Sequence, residues 1–92
     1  MIRRRNSLIR ERLMKSAVSN NYIEDVRILL EEEKYSKEFL SSMLTIAATK
    51  GYTRIAKMLI NSGTDVTLDM INVAKVSRNS TTAHILLNAF KK

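Results

Sequence analysis

Apolar residues recur along this chain at helical spacing, in six short stretches separated by turn-forming residues. Leu44, Ala47 and Ala48 fall at i, i+3 and i+4, and beyond Gly51 the spacing returns at Ile55, Met58 and Leu59, so each of two short helices carries one apolar stripe. Gly51 and Gly63, the only glycines, stand where these helices should stop, because glycine takes left-handed backbone without a Cβ clash. Upstream, Ser7 can cap a helix whose apolar positions are Leu8, Ile9, Leu13, Met14, Ala17 and Val18. Asn20 and Asn21 end it. Asn21, with Glu24 three residues on, also offers an N-cap and a capping-box-like partner to a helix from Ile23 to about Glu32, with the stripe Ile23, Val26, Leu29 and Leu30. Ser36 reads as the N-cap of a long helix that holds Phe39, Leu40 and Met43 and reaches Lys50. Thr67 can cap a fifth helix, with Asp69 in its first turn and Ile71 and Ala74 inward. A turn at 77–80 leads into a last helix with Ala83, Leu86, Leu87 and Phe90. The pattern predicts an all-α chain, six helices in three antiparallel pairs with no appreciable strand.

The stretches repeat. Residues 20–30 align with 50–60 at a constant offset of 30, and 83–87 align with 56–60 at an offset of 27. Ala17, Ala47 and Ala74 obey the same offsets, and a small residue there lets paired helices approach closely. Across Leu44 to Thr67 the chain reads Leu-Thr-Ile-Ala-Ala, then Thr-Lys-Gly-Tyr-Thr-Arg-Ile-Ala-Lys-Met-Leu-Ile, then Gly-Thr-Asp-Val-Thr. This resembles the ankyrin repeat consensus of Leu-His-Leu-Ala-Ala, Gly-His-Leu-Glu-Ile-Val-Lys-Leu-Leu-Leu and Gly-Ala-Asp-Val-Asn. The offsets are shorter than the family period of about 33 residues, and the shortening falls in the hairpin fingers. Ser42-Met43-Leu44-Thr45 and Asp69-Met70-Ile71-Asn72 stand where the family has Thr-Pro-Leu-His, and the chain contains no proline. The Trp, Tyr and Pro pattern of tetratricopeptide repeats, with its period of about 34, is not found.

The resemblance implies a short ankyrin-like helical-repeat solenoid of three helix-turn-helix pairs over residues 7–92, with repeats at about 7–34, 35–66 and 67–92, preceded by a basic arm at 1–6. It implies a non-enzymatic protein-protein interaction module, an adaptor or scaffold, that binds its partner on the concave face formed by the first helix of each repeat. By alignment that face holds Lys15, Ser19, Asn20, Thr45, Thr49, Lys50, Asn72 and Ser77. These residues are mostly small and polar, which suits a hydrogen-bonding interface with another protein and offers no deep pocket for a small molecule.

Charge supplies a second reading. The formal net charge is +7, from 16 Lys and Arg against 9 Asp and Glu. Most of the excess lies in Arg3, Arg4, Arg5, Arg10, Arg12 and Lys15, opposed within the same stretch by Glu11 alone. A basic patch of Arg3, Arg4, Arg5, Arg10 and Arg12 would attract nucleic acid or an anionic surface. The interleaved aromatics of single-strand binders are missing, which ranks this alternative second. Glu31, Glu32 and Glu33 crowd a helix C-terminus, where the macrodipole disfavours them. They read as a solvated run, or as a group that pairs with the arginines of the first helix or with a basic partner. A chain of 92 residues buries a limited core, so self-association is a third expectation.

The composition carries little chemistry. No cysteine is present, which excludes a disulfide framework and thiolate metal sites. His84 is the only histidine, and it aligns with Lys57 at a surface position, so no metal and no cofactor are expected. Asp65 and Asp69 read as turn and cap residues. No Gly-rich phosphate loop, activated nucleophile or catalytic pair is recognisable, and the chain is read as not an enzyme. Arg4-Arg5-Asn6-Ser7 matches a basophilic kinase site, and Asn79-Ser80-Thr81 matches an N-glycosylation pattern expected to be inert. No apolar run approaches the ~18 residues that span a bilayer, and Arg10, Glu11 and Arg12 interrupt any signal-peptide core, so a cytoplasmic location is expected.

Overall fold

The computed structural model describes the backbone of residues 2–91 and the side chains of residues 8–91. It contains six helices: α1 (Ile2–Ser19), α2 (Ile23–Glu32), α3 (Lys37–Lys50), α4 (Thr53–Asn61), α5 (Leu68–Val76) and α6 (Ser80–Lys91). Among the described residues there is no strand.

Most boundaries fall where local chemistry puts them. The Ser36 hydroxyl accepts the Phe39 N–H at 3.1 Å, and the Thr67 hydroxyl accepts the Met70 N–H at 3.3 Å, so each satisfies an orphan donor at a helix start. The first helix departs from the sequence expectation. It begins at Ile2, so residues 2–6 are helical and Ser7 lies inside α1 instead of capping it. Nothing in that stretch breaks a helix, and arginine is a good helix former. Asn21 also has one role in place of the two expected. It sits at φ 60° as a left-handed terminator, Tyr22 occupies the N-cap of α2 without a side-chain cap bond, and Glu24 turns to Arg27.

The turns inside the three pairs share one geometry. Asn21, Gly51 and Arg78 hold the left-handed position, at φ 60°, 75° and 62°. The next residue then returns its N–H to an alanine carbonyl, Tyr22 to Ala17 at 2.8 Å, Tyr52 to Ala47 at 2.9 Å and Asn79 to Ala74 at 2.8 Å. This is the bond pattern that closes a helix on a left-handed residue. The same residues then open the following helices, since the carbonyls of Tyr22, Tyr52 and Asn79 accept from Val26, Ala56 and Ala83.

Packing follows the same register. Each helix lies against its partner in the pair, and α1, α3 and α5 form one row while α2, α4 and α6 form another. The core is built in columns of corresponding residues, Met14, Leu44 and Ile71 in the first row and Leu29, Leu59 and Leu86 in the second. Ala17, Ala47 and Ala74, at corresponding positions of the first row, are buried as well. The α1 stripe is narrower than its apolar content suggested. Met14, Ala17 and Val18 are buried, whereas Leu8, Ile9 and Leu13 are exposed, because α1 has no helix packed on its outer side. Phe90, at the end of α6, is likewise exposed.

Hydrogen bonds tie each pair to the one before it. The Tyr52 hydroxyl donates to the Ser19 carbonyl at 3.4 Å, and the corresponding residue Asn79 donates its amide to the carbonyls of Ala48 and Thr49 at 3.2 and 3.1 Å. Each bond caps the open C-terminal end of the preceding first-row helix. Between α4 and α6, the hydroxyls of Thr53 and Thr82 share a hydrogen bond of 2.9 Å, and Thr82 is buried.

Candidate partner-binding face

The residues picked for the concave face lie on the first-row helices and the turns that follow them. Lys15 and Ser19 are on α1, Thr45, Thr49 and Lys50 on α3, and Asn72 on α5, with Asn20 and Ser77 just past α1 and α5. All are exposed except Ser19, which is half-buried. Because α1 packs beside α3 and α3 beside α5 in a fixed register, Lys15, Thr45 and Asn72 form one rung of a ladder. Ser19 and Thr49 belong to the next rung, and its third member is Val76. Sequence reasoning passed over Val76, which at 83% exposure is a large apolar side chain standing in solvent at that rung. The signal was present in the offset of 27 from Thr49.

Backbone neighbours already engage some of the polar groups on this face. Thr45 and Thr49 donate their hydroxyls to the carbonyls of Ser41 and Thr45, at 3.0 and 2.9 Å, and Asn20 donates its amide to Ser16 at 2.8 Å. The central helix therefore presents hydroxyl oxygens mainly as acceptors. Its cationic donors are Lys50 and, across on α1, Lys15 and Arg12. Arg12 precedes Lys15 by three residues and shares its side of the helix, while Asp69 holds the corresponding place on α5. The face thus runs from basic at α1 to weakly acidic at α5.

Two members of the basic patch, Arg10 and Arg12, lie among the described side chains. Arg10 turns away toward the end of α2, where its guanidinium pairs with Glu32 and, at 3.2 Å, with Glu33. The hydrogen bond that Arg10 donates to Glu32, together with the charge of that carboxylate, pushes the Arg10 pKa further up. Arg27 bridges Glu24 and Glu31 along α2 at 2.7 and 3.0 Å, which holds the Glu24 carboxyl below its usual range. Each member of the Glu31 to Glu33 run thus has an arginine partner. Arg12 belongs with the polar face, and the side chains of Arg3, Arg4, Arg5 and Ser7 lie outside the described residues.

Other candidate chemistry is dispersed. Asp65 is 3.9 Å from Lys37 in an exposed pair, and Asp69 sits in the first turn of α5. His84 is exposed on α6, and among the described residues no three of His, Cys, Asp and Glu come together as a metal site would require. Grooves of about 500 and 550 Å³ lie away from the polar face, the first between α4 and α6 beside Lys57, Ile60 and Ile85, the second between Tyr35, Leu40 and Gly63. Tyr35 stacks on Phe39 there and donates its hydroxyl to the Leu29 carbonyl at 3.3 Å, and burial pushes its pKa up. No described helix is long and apolar enough to cross a membrane.

Comparison with protein-family profiles, curated proteins and solved structures finds no match to this chain.

Proposed function

We propose that this chain is a protein-binding module, an ankyrin-like stack of three helix-turn-helix repeats that recognises a partner protein across the exposed face of α1, α3 and α5. The observation that carries the reading is the continuity of that face. Corresponding polar residues stand at the same register on three adjacent helices, whose spacing is held by the alanine column and the Tyr52 and Asn79 bonds. An exposed, mostly polar surface of this kind suits a protein interface and offers no deep pocket for a small molecule. Its charge gradient favours a partner that places acidic groups against Arg12 and Lys15.

Binding of nucleic acid or an anionic surface by α1 is the competing use. The pairing of Arg10 with Glu32 and Glu33 weighs against it, because it removes one cation from the patch. Affinity capture with the wild-type chain, then titration of the purified partner, separates the two. Under the protein-binding reading, Thr49→Arg with Lys50→Glu abolishes the complex through steric and charge conflict, and replacing Arg3, Arg4 and Arg5 mainly slows association. Strongly salt-dependent binding to DNA or RNA that ignores the Thr49 and Lys50 pair, yet loses roughly 2–3 units of salt slope with the three arginines, would reverse the ranking.

A further inference from the structure

Every interface between pairs reuses the same positions, and the first pair carries the full docking set with nothing in the described structure to receive it. Tyr22 corresponds to Tyr52 and Asn79, which cap the preceding first-row helix. Leu13 corresponds to Met43 and Met70, and Asp25 to Ile55 and Thr82, all four of them buried. Ile28 corresponds to Met58 and Ile85, both half-buried. Leu13, Tyr22, Asp25 and Ile28 are themselves exposed and line an open groove of about 280 Å³ on the outer side of the first pair.

The third pair offers the matching receptor. The Val76 carbonyl stands where those of Ser19 and Thr49 receive Tyr52 and Asn79, and Ser80 stands where Thr53 meets Thr82. Lys75, Ser80, His84 and Leu87 line a groove of about 240 Å³ on its outer side. Charge fits as well, since Asp25 is the one acid of the first groove and Lys75 is the lysine of the second.

We infer that a second copy of this chain docks its first pair onto the third pair of another, head to tail, in the register of the internal repeats. The Tyr22 hydroxyl donates to the Val76 carbonyl, and the Asp25 carboxylate accepts from Ser80 with Lys75 beside it. A carboxylate covered without a partner would be costly, so the cation and hydroxyl on the opposite end are what permit this docking. Two first pairs cannot meet in the same way, because Asp25 would face Asp25. A head-to-tail contact of this kind is heterologous, and along a stack it extends without closing, so assembly has no fixed stoichiometry. The contact uses the ends of the stack and leaves the polar face of α1, α3 and α5 free, so it does not depend on the binding role proposed for that face.

Sedimentation velocity of the full chain from micromolar to millimolar concentration tests this. The expected result is a mass that climbs with concentration. Asp25→Lys and Ser80→Glu, both at exposed positions, should each weaken association at least about tenfold when alone, by setting like charges at the contact. An equimolar mixture should regain it, because each variant's altered end then meets an end of opposite or original charge. Helical circular dichroism checks that both variants fold, and Tyr22→Ala provides an independent weakening variant. A monomer at every concentration overturns the inference. So does a fixed dimer that Ser80→Glu leaves intact, or a mixture that shows no recovery.

Discussion

Gly51, Gly63 and Arg78 all take left-handed backbone, in different surroundings, and the effects of substituting them should differ accordingly. Gly51 takes φ 75° freely, but a Cβ added there would stand 2.5 Å from the Asn79 Oδ1, the side chain that caps α3. Gly51→Ala therefore combines left-handed strain of about 1–2 kcal/mol with displacement of the Asn79 bonds, worth about 1 kcal/mol more. Gly63, at φ 98°, has open space around the added atom, so Gly63→Ala meets strain alone. Arg78 already bears that strain at φ 62°, and Arg78→Gly should stabilise by about 0.5–1 kcal/mol after the extra chain entropy of glycine is subtracted. Urea titrations of the three variants give the comparison. Equal losses at the two glycines would mean that the Asn79 cap adds nothing at Gly51, and a loss at Arg78→Gly would mean that its left-handed backbone carries no strain.

Helices are where the sequence was most legible. The caps at Ser36 and Thr67, the stops at Asn21 and Gly51, and the stripes of α3 to α6 are local features, and local chemistry decides them. What escaped was non-local. The bonds from Tyr52 to Ser19, from Asn79 to Ala48 and between Thr53 and Thr82 join residues about thirty apart, and no periodicity within one helix announces them. The exposure of Leu8, Ile9 and Leu13 escaped for the same reason, since an apolar stripe does not say whether a neighbour covers it. For the proposed face, the alignment names Lys15, Thr45 and Asn72 but not Val76, and apolar periodicity is silent on the hydroxyls that Thr45 and Thr49 donate one turn back. The columns do permit a sharp expectation for α4. Leu59 is fully buried in a helix packed against α2, α3 and α6, so Leu59→Ala should cost about 2–5 kcal/mol, while Leu29→Ala, at the outer and slightly exposed end of the same column, should cost less. Thermal melts showing Leu59 as the cheaper of the two would place the core elsewhere.

Because each pair touches only its neighbours, the stability of the stack should be distributed unevenly. The central helices α3 and α4 pack against pairs on both sides, whereas α1 and α2 meet the rest of the described molecule chiefly through α3 and α4, and so do α5 and α6. Opening the first or third pair breaks one interface. Opening the second breaks both, along with the caps that Tyr52 makes to α1 and Asn79 to α3. In a stack whose energy is a sum of pair and interface contributions, the outer pairs therefore unfold more readily than the centre. Native-state hydrogen exchange on dilute protein, where copies do not associate, reads this directly. Amides of α3 and α4 should exchange only through global unfolding and follow its denaturant dependence. Those of α2 and α6 should exchange through smaller openings with weaker denaturant dependence. Identical protection in all six helices would mean that the ends hold as firmly as the middle. The 92 residues would then open as one cooperative unit, without the graded edges that nearest-neighbour packing predicts.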